Sequence, residues 1–436
     1  MRRALLGCVV VVGCGKVPAR AVDADTSAPT GPVEVRVFAG DPDIADDPPA
    51  IGATVLFHRA DGSLAATATT DDDGRASADL AAGDAITVVR VRADGADLTT
   101  ILAVAPDDHL AIGRRRYYEW TDEEAARFTL ASAAGATSYA VYAPCSQATA
   151  TGGSTEVTVT MNDRCGATYD AIAVAFDAPG GAPVGYVYLP PRARPTAEID
   201  VASIGAWAPM PNLTATFTGV PTGVTFDAFT GLVLSDLARF SRYAVATPTG
   251  TTAAYTVPMP LDSGHMQFDV RLRRAADLGP LRLARRGAAT TSYTLDLAPT
   301  LAPFLGTPTF DPATGVAAVA VDGGGRADAL SFDLAYAHDG ATYTWRIHAP
   351  GELTEVALPS LPASLAALAP RVGDVTDARA RTLRVDDGVG YDGVRGELDR
   401  NVEVGFEPWL RRDDITWVTL AHDPETPLYP PYFPEP

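Results

Sequence analysis

Lysine is almost missing from this sequence: Lys16 is the single one, so nearly all positive charge comes from arginine. A phosphate-loop lysine, a Schiff-base lysine and a lysine isopeptide cross-link are therefore excluded from the rest of the chain. Positive charge is itself scarce, because 34 basic residues stand against 54 acidic ones, a formal net charge of −20. Such a charge repels phosphate backbones and anionic headgroups, so we expect no nucleic-acid partner.

Local signatures of catalysis are also missing. The six histidines are scattered singly, and the chain contains neither an HExxH nor a GxSxG motif. Metalloprotease and nucleophile-elbow chemistry need those spacings. We therefore expect a non-enzymatic chain without cofactor or metal. An enzyme whose site is assembled from distant loops stays open as an alternative, because such sites leave no short motif.

Helical periodicity and long apolar runs are the third absence. The chain instead shows short alternating runs broken by 39 glycines, 35 prolines, Asp and Thr. This pattern is typical of β-sandwiches. We predict an all-β chain of several tandem sandwiches, Ig-like or transthyretin-like. Only residues 121–131 and 362–370 have room for a turn or two of helix, and we expect the first of these to be a turn or the start of a strand.

The first residues have the features of an export signal. Arg2 and Arg3 precede an apolar stretch, residues 4–13, that is much shorter than the ~20 residues of a membrane-spanning helix. The following Val11-Val12-Gly13-Cys14 resembles a bacterial lipobox. The resemblance implies cleavage before Cys14 and lipidation of its thiol, with the lipid as the only contact with the membrane. Gly15, where an aspartate would signal retention, resembles the pattern that permits export to the outer membrane. Cys8 follows a similar motif with too short an apolar stretch, and a plain secreted protein is the alternative.

Two cysteines remain in the body of the chain, Cys145 and Cys165. An even pair in an exported protein predicts a disulfide, worth ~3 kcal/mol for a loop of this length. Two isolated buried thiols are the alternative. No further Cys or His lies at ligand spacing, so the pair is not a zinc site.

Residues 33–105 form the clearest unit. Gly52-Ala53-Thr54-Val55, a hairpin through Asp61-Gly62, the acidic turn 70–75 that closes on Gly74, and Leu80 follow one another there. This order resembles carboxypeptidase regulatory-like, transthyretin-like sandwich domains of bacterial surface proteins. The resemblance implies a sandwich and no particular activity. The isopeptide bond of related pilin-type sandwiches does not transfer, since the unit has no lysine.

The remaining chain repeats tyrosine-bearing strands, proline breaks and alternating strands at irregular spacing. We predict a signal peptide, a lipidated tether, four sandwiches beginning with the regulatory-like one, and a Pro-rich tail. Their predicted ranges are 1–13, 14–32, 33–115, 117–215, 216–300, 301–420 and 421–436.

Four further groups of residues are weaker candidates for a binding or metal site. Gly388, Gly390 and Gly393 match the dinucleotide-binding spacing, but no βαβ unit surrounds them, so we interpret them as a glycine-rich turn. His338 and His348 are ten residues apart across an expected hairpin. They are either a metal pair or two ordinary strand histidines.

Two acidic clusters are calcium candidates or solvated turns: Asp41, Asp43, Asp46 and Asp47, and Asp71, Asp72 and Asp73. Three tryptophans are possible ligand-facing aromatics or core residues: Trp345, Trp409 and Trp417.

The combined expectation is a lipid-anchored envelope protein that serves as a scaffold or protein-interaction module. Its partner would be an envelope protein or a glycan. A carbohydrate-binding or adhesive protein is the first alternative, and exposed coplanar aromatics on one face would favour it.

Overall fold

A computed structural model describes residues 29–39, 48–113, 124–143, 146–161, 167–193, 199–204, 206–233, 239–261, 265–274, 277–385, 389–398, 406 and 415–424. The chain is all-β and built from stacked sheets, which confirms the predicted fold class. Cys14, Cys145, Cys165, Trp409 and the acidic cluster 41–47 lie outside the described residues, as does the tail from residue 425. No helix within these ranges combines the length and the apolar character needed to cross a membrane.

The first sandwich comprises seven strands. They are β1 (Thr30–Val37), β2 (Thr54–His58), β3 (Leu64–Thr69), β4 (Arg75–Ala81), β5 (Asp84–Arg92), β6 (Gly95–Val104) and β7 (His109–Ile112). One sheet has the order β4-β1-β7, and β3-β2-β5-β6 lie side by side in the other. The alternating residues Val33, Val35 and Val37 of β1 are fully buried between them. Sequence alternation therefore decides which face of β1 joins the core.

The predicted acidic turn at Gly74 is confirmed, with φ at +73°. A Cβ there would lie 2.5 Å from the carbonyl oxygen of Val37, so only glycine fits. The turn carries the chain from β3 to β4, which lie in different sheets.

The second sandwich contains β8 (Glu124–Leu130), β9 (Ser138–Ala143), β10 (Ser146–Ala150), β11 (Glu156–Met161), β12 (Thr168–Phe176), β13 (Pro183–Ala193) and β14 (Ile199–Ile204). Its sheets have the orders β11-β8-β14 and β10-β9-β12-β13. Phe128, Val141 and Val159 fill the core between them. Residues 124–130, expected as a turn or the start of a strand, are the strand β8.

The next strands are β15 (Asn212–Thr218), β16 (Thr225–Val233), β17 (Arg239–Ala246), β18 (Ala253–Pro258), β19 (His265–Arg273), β20 (Leu281–Ala288) and β21 (Ser292–Asp296). The sheet β18-β15-β21 packs on β17-β16-β19-β20. Phe217 lies between the two sheets, with its ring centroid 5.0 Å from that of Phe226 and 6.0 Å from that of Phe268.

The last part contains short strands, two long hairpin strands and two short helices. The strands are β22 (Phe304–Leu305), β23 (Thr309–Asp311), β24 (Val316–Ala318), β25 (Val321–Asp322), β26 (Ala329–His338), β27 (Ala341–Pro350), β28 (Glu355–Ala357), β29 (Val375–Val385) and β30 (Trp417–His422). A 3-10 helix spans Ala363–Leu368, within the range expected to hold a helical turn. The α-helix α1 spans Gly390–Gly396. The glycine-rich turn predicted there is wrong for these residues, because Val394 is fully buried and anchors a helical turn in the core.

One sheet of twelve strands connects these units, in the order β17-β16-β19-β20-β30-β29-β26-β27-β6-β5-β2-β3. It takes strands from three of the four predicted sandwich ranges, joined by the parallel pairing of β27 with β6. At that pairing a Cβ on Gly95 would lie 1.7 Å from the carbonyl oxygen of Thr342. The two backbones approach closely because Gly95 has no side chain. The domain boundaries themselves stay predictions.

Candidate interaction surface

His338 and His348, a possible metal pair in the sequence, do not lie together. Ala341 is the strand partner of His338, whereas Ser331 is the partner of His348, so the histidines lie at opposite ends of the β26–β27 hairpin. They also point to opposite faces of the sheet, because Ser331 and His338 are an odd number of residues apart on one strand. The expectation that they face each other is therefore wrong. A two-residue turn, Asp339-Gly340 with φ of 54° and 79°, sets this register.

His338 holds the 3-10 helix in place. Its Nε2 is 2.8 Å from the carbonyl oxygen of Ala367, and the hydroxyl of Tyr336 donates to the carbonyl oxygen of Leu368 at 2.6 Å. The imidazole stacks on Tyr343 with ring centroids 4.4 Å apart, and its Nδ1 lies 3.0 Å from Asp374 Oδ2. These contacts give His338 a structural role.

His348 belongs to a buried polar row that crosses four strands. Strand pairing places Ser331 between His348 and Arg381, and Arg381 next to His422. Burial, with repulsion from arginines, lowers the pKa of His348 to about 3 and that of His422 to about 3. Both imidazoles are therefore neutral at physiological pH.

Asp333 lies two residues from Ser331 on β26, in the adjacent row, and completes the residue types of a nucleophilic triad. Burial raises the pKa of Asp333, but Arg346 and Arg381 overcome this effect and hold its net pKa below the ordinary value. The distances from Asp333 to Arg346 Nε and Arg381 Nη1 are 2.6 and 2.9 Å. The carboxylate is thus occupied by arginines on both oxygens.

The row does not have the bonds of a triad. Ser331 Oγ and both ring nitrogens of His348 have no hydrogen-bond partner among the described residues. Ser331 and His348 are only 1% and 2% exposed, so no substrate reaches them. A Ser-His-Asp relay needs serine bonded to histidine and histidine to the carboxylate. This constellation therefore contributes to the interior of the sheet.

Two of the three tryptophans proposed as ligand-facing are buried. Trp345 is 1% exposed, and its Nε1 donates to Thr100 Oγ1 at 2.9 Å. Trp417 is 7% exposed and lies under Arg384, with Cζ 5.7 Å from the ring centroid. Neither ring has a face open to a ligand. Large aromatic side chains contribute most to stability when they are packed in the core. Of the two roles that the sequence leaves open, both residues have the core role and neither faces a ligand.

The second acidic cluster is a turn. Asp71 Oδ1 accepts hydrogen bonds from the backbone N–H of Asp73 at 3.0 Å and of Arg75 at 2.8 Å. Its carboxylate therefore stabilises the loop locally. Within the described ranges, no three or more His, Cys, Asp or Glu side chains gather closely enough to hold a metal ion.

Two exposed large apolar side chains lie side by side on one end strand of the twelve-stranded sheet. Tyr243 is 54% and Val245 68% exposed, both on the end strand β17. No other described strand has two exposed large apolar residues two positions apart. Val91 and Val372 are more exposed, but each stands alone at a hairpin end or in a turn. Contiguous exposed apolar surface is typical of interaction sites.

Polar and aromatic neighbours complete this patch, which we name the Tyr243 surface; it consists of Asp227, Phe229, Tyr243, Val245 and Arg271. Strand pairing sets Phe229 opposite Tyr243, and Asp227 opposite both Val245 and Arg271. The Tyr243 hydroxyl donates to Asp227 Oδ2 at 3.4 Å, and Arg271 Cζ lies 5.0 Å from the Phe229 ring centroid. The rings of Phe229 and Tyr243 are 4.8 Å apart and tilted by 43°. They do not form one flat platform, so the coplanar aromatics expected of a sugar-binding face are not formed here.

Arg271 brings positive charge to the Tyr243 surface. It is 7% exposed, and Arg282 lies directly opposite on β20. Desolvation lowers the pKa of Arg271, and Asp269, which binds Arg282 through both carboxylate oxygens, opposes that shift. The surface therefore combines exposed apolar side chains with an arginine-rich border.

The Tyr243 surface leaves little trace in the sequence. Its one signal is the run Tyr243-Ala244-Val245-Ala246, apolar on both faces of a strand. Such a run indicates a strand buried on both sides, and a single sequence does not tell an end strand from a central one.

No family model matches the chain, and no curated protein does. Among solved structures it is similar to the Bacillus anthracis TIE protein, at 11% identity over 61% of this chain and 49% of that one, with a TM-score of 0.15. The chain thus spans about half the length of that protein. It is also similar to the FN1–FN3 domains of chicken CNTN1, at 13% identity over 57% of this chain and 84% of that one, with a TM-score of 0.12. A candidate adhesin from Bacteroides ovatus gives 11% identity, 57% and 73% coverage, and a TM-score of 0.12.

Proposed function

We propose that this chain is a non-catalytic protein of the bacterial cell envelope that binds a partner protein through the Tyr243 surface. The observation that carries the proposal is the joint exposure of Tyr243 and Val245, 54% and 68%, on the last strand of a twelve-stranded sheet. Removing such side chains from water stabilises a complex by ~25 cal/mol per Å² of apolar area. A monomer gains nothing from leaving both exposed.

The position within the sheet supports the same proposal. Among the described strands, β17 has β16 as its sole hydrogen-bonded neighbour, so one row of its backbone N–H and C=O groups lies at the sheet edge. Edge strands present unpaired backbone groups to which strands of other chains can add. The Tyr243 surface thus presents backbone and side-chain groups together.

The location of the protein at the outer membrane is part of the proposal. A lipid on Cys14 would hold the chain in the outer membrane, and residues 14–29 before β1, rich in Ala, Pro, Asp, Ser and Thr, would form a flexible tether. The two-sheet arrangement of residues 30–112 supports a regulatory-like sandwich as the first folded unit. In this arrangement the folded body is a scaffold that carries the Tyr243 surface at a distance from the membrane.

The test places a photo-crosslinking amino acid, p-benzoyl-phenylalanine, at position 243 or 245 of the full-length chain in intact cells. Irradiation should give the same adducts from both positions. The matched control is position 372, because Val372 is 78% exposed but isolated in a turn. Position 372 should give no adduct. Absence of adducts from positions 243 and 245 in a folded, exported protein contradicts the proposal.

A further inference from the structure

We propose that the partner of the Tyr243 surface is a second copy of this chain, and that β17 of one copy pairs with β3 of the next. The proposal rests on the proposed function and names the occupant of that surface. β3 and β17 are the two ends of the twelve-stranded sheet. Their pairing would continue one sheet from copy to copy.

β3 is an unprotected edge. Its sequence, Leu64–Thr69, contains no charge, proline or glycine, and none of its six residues is buried. Leu64 is 39% exposed, and β2 is its single strand neighbour among the described residues. Natural edge strands usually carry one of those protective features. Their absence leaves the edge of β3 open to strand addition.

The two ends of the sheet have opposite charge. The described residues 30–39 and 48–113, around β3, contain five arginines against eleven acidic residues. The described residues 225–233, 239–261, 265–274 and 277–288, around β17, contain eight arginines against three aspartates in a chain with net charge −20. The ends of one molecule therefore attract the opposite ends of another.

The same asymmetry holds beside the two strands. Asp61 precedes β3, and Asp72 and Asp73 follow it, all three outside the core. On the other end, Arg242 lies on β17 and the exposed Arg273 ends β19. Pairing β3 with β3, or β17 with β17, would bring like charges together. Pairing β3 with β17 brings opposite charges together.

Strand direction permits this arrangement. Ten of the eleven pairings between β17 and β3 are antiparallel, and the pairing of β27 with β6 is parallel. An even number of reversals leaves β3 and β17 pointing the same way. A second copy related by translation along the sheet thus adds as a parallel strand. Because the two binding edges differ, the contact is heterologous and repeats from copy to copy.

The test uses the full-length, lipidated chain in its own membranes and the same photo-crosslinking amino acid at position 67 in β3. The matched control is position 158, because Thr158 is an exposed threonine of β11, another end strand. Position 67 should yield adducts of two and more copies of the chain. Mass spectrometry should map them to residues 239–246, and two epitope tags expressed together should both appear in one adduct. Position 158 should yield none.

Charge reversal provides the rescue experiment. Arg242→Glu with Arg273→Glu should lower the yield of the position-67 adduct by about tenfold, since like charges then face each other. Adding Asp72→Arg and Asp73→Arg should restore it. Asp71 is left unchanged because its carboxylate holds the turn. Far-ultraviolet circular dichroism and thermal melts establish that each variant is folded.

The outcomes separate the two proposals. Position-243 adducts with a different protein contradict self-association and leave the proposed function standing. Adducts from position 67 that map to β3 itself, or a yield unchanged by charge reversal, also contradict the β3–β17 pairing. Adducts that map to residues 239–246 and follow the charge swap support it.

Discussion

Trp345 and Thr100 lie 245 residues apart in the sequence and share a hydrogen bond in the core, with the indole Nε1–H donating to the threonine Oγ1 at 2.9 Å. Thr100 Oγ1 is 2.8 Å from Thr87 Oγ1, which is 3.1 Å from His58 Nε2. The chain of bonds crosses β27, β6, β5 and β2 in order. An indole N–H only donates, so Thr100 Oγ1 accepts from Trp345 and its own hydroxyl is free to donate to Thr87 Oγ1. The Thr87 hydroxyl then donates to His58 Nε2, which is the acceptor at the end of the chain of bonds.

Thr100→Val removes the acceptor of the Trp345 N–H without changing the shape of the core. We expect a loss of about 1–3 kcal/mol in the free energy of unfolding, because a buried donor loses its partner. Urea unfolding of Thr100→Val, Trp345→Phe and the double variant measures the coupling. A coupling energy of zero would show that the bond contributes nothing.

Gly95→Ala tests the close approach of β6 to β27. The new Cβ would lie 1.7 Å from the carbonyl oxygen of Thr342, so the parallel pairing must separate. We expect a loss of about 3 kcal/mol or more in the free energy of unfolding. The control is Gly396→Ala, where no atom lies within 4 Å of the added Cβ. Equal unfolding midpoints for the two variants would contradict the account of this junction.

Acid should destabilise the protein well before the carboxylates titrate. Burial lowers the folded-state pKa of His58 to about 4 and of His348 to about 3, against 6.5 for an unperturbed histidine. A base with a lowered folded pKa supplies stability that is present above pH 6.5 and lost as the pH falls toward the folded value. Each histidine should cost about 2 kcal/mol between pH 7.5 and pH 5.

Chemical denaturation at a series of pH values measures this slope. His348→Gln should reduce the slope below pH 6.5 by about one proton relative to the unsubstituted chain. Within the described residues, Arg346, Arg381 and Asp333 interact electrostatically with His348, and only Asp333 raises its pKa. An unchanged slope would mean that His348 is protonated in the folded state.

Cys14→Ser should release the chain from the membrane fraction and abolish labelling with palmitate, because the lipobox motif and an adequate apolar stretch both precede Cys14. Cys8→Ser should leave both properties unchanged. The opposite pattern, labelling lost in Cys8→Ser and kept in Cys14→Ser, would move the lipidation site to Cys8.

Cys145 and Cys165 should form a disulfide in the exported protein. Its loss in Cys145→Ser should destabilise the second sandwich by ~3 kcal/mol and leave the first sandwich folded. Peptide mapping without reductant checks the bond directly. Two free thiols in the exported chain would contradict it.

Much of the fold follows from local sequence. The alternation of Val33, Val35 and Val37 predicts the buried face of β1, and Asp61-Gly62 predicts the β2–β3 hairpin. The parallel pairing of β27 with β6 leaves no such signal, because its partners are far apart and each strand alternates normally. Helix α1 was also missed, since Gly390, Gly393 and Gly396 oppose helix formation and burial of Val394 overrides that preference.

The functional candidates were harder to predict than the fold. Trp345 and Trp417 have the residue type of a binding site, but their burial depends on the sheet that covers them. Tyr243 and Val245 form a surface because β17 is the last strand, which is a property of the whole sheet order. Strand order depends on long-range pairing, so residue type and spacing alone do not determine it.

Occupancy of β17 in the cell envelope is the most direct measure of the central claim. Hydrogen–deuterium exchange can compare the full-length chain in its membranes with the same chain diluted in detergent. We predict that amides of residues 239–246 exchange about tenfold more slowly in the membranes, while those of the end strand β21, Ser292–Asp296, exchange equally in both. Equal exchange of residues 239–246 in the two samples would contradict partner binding at the Tyr243 surface.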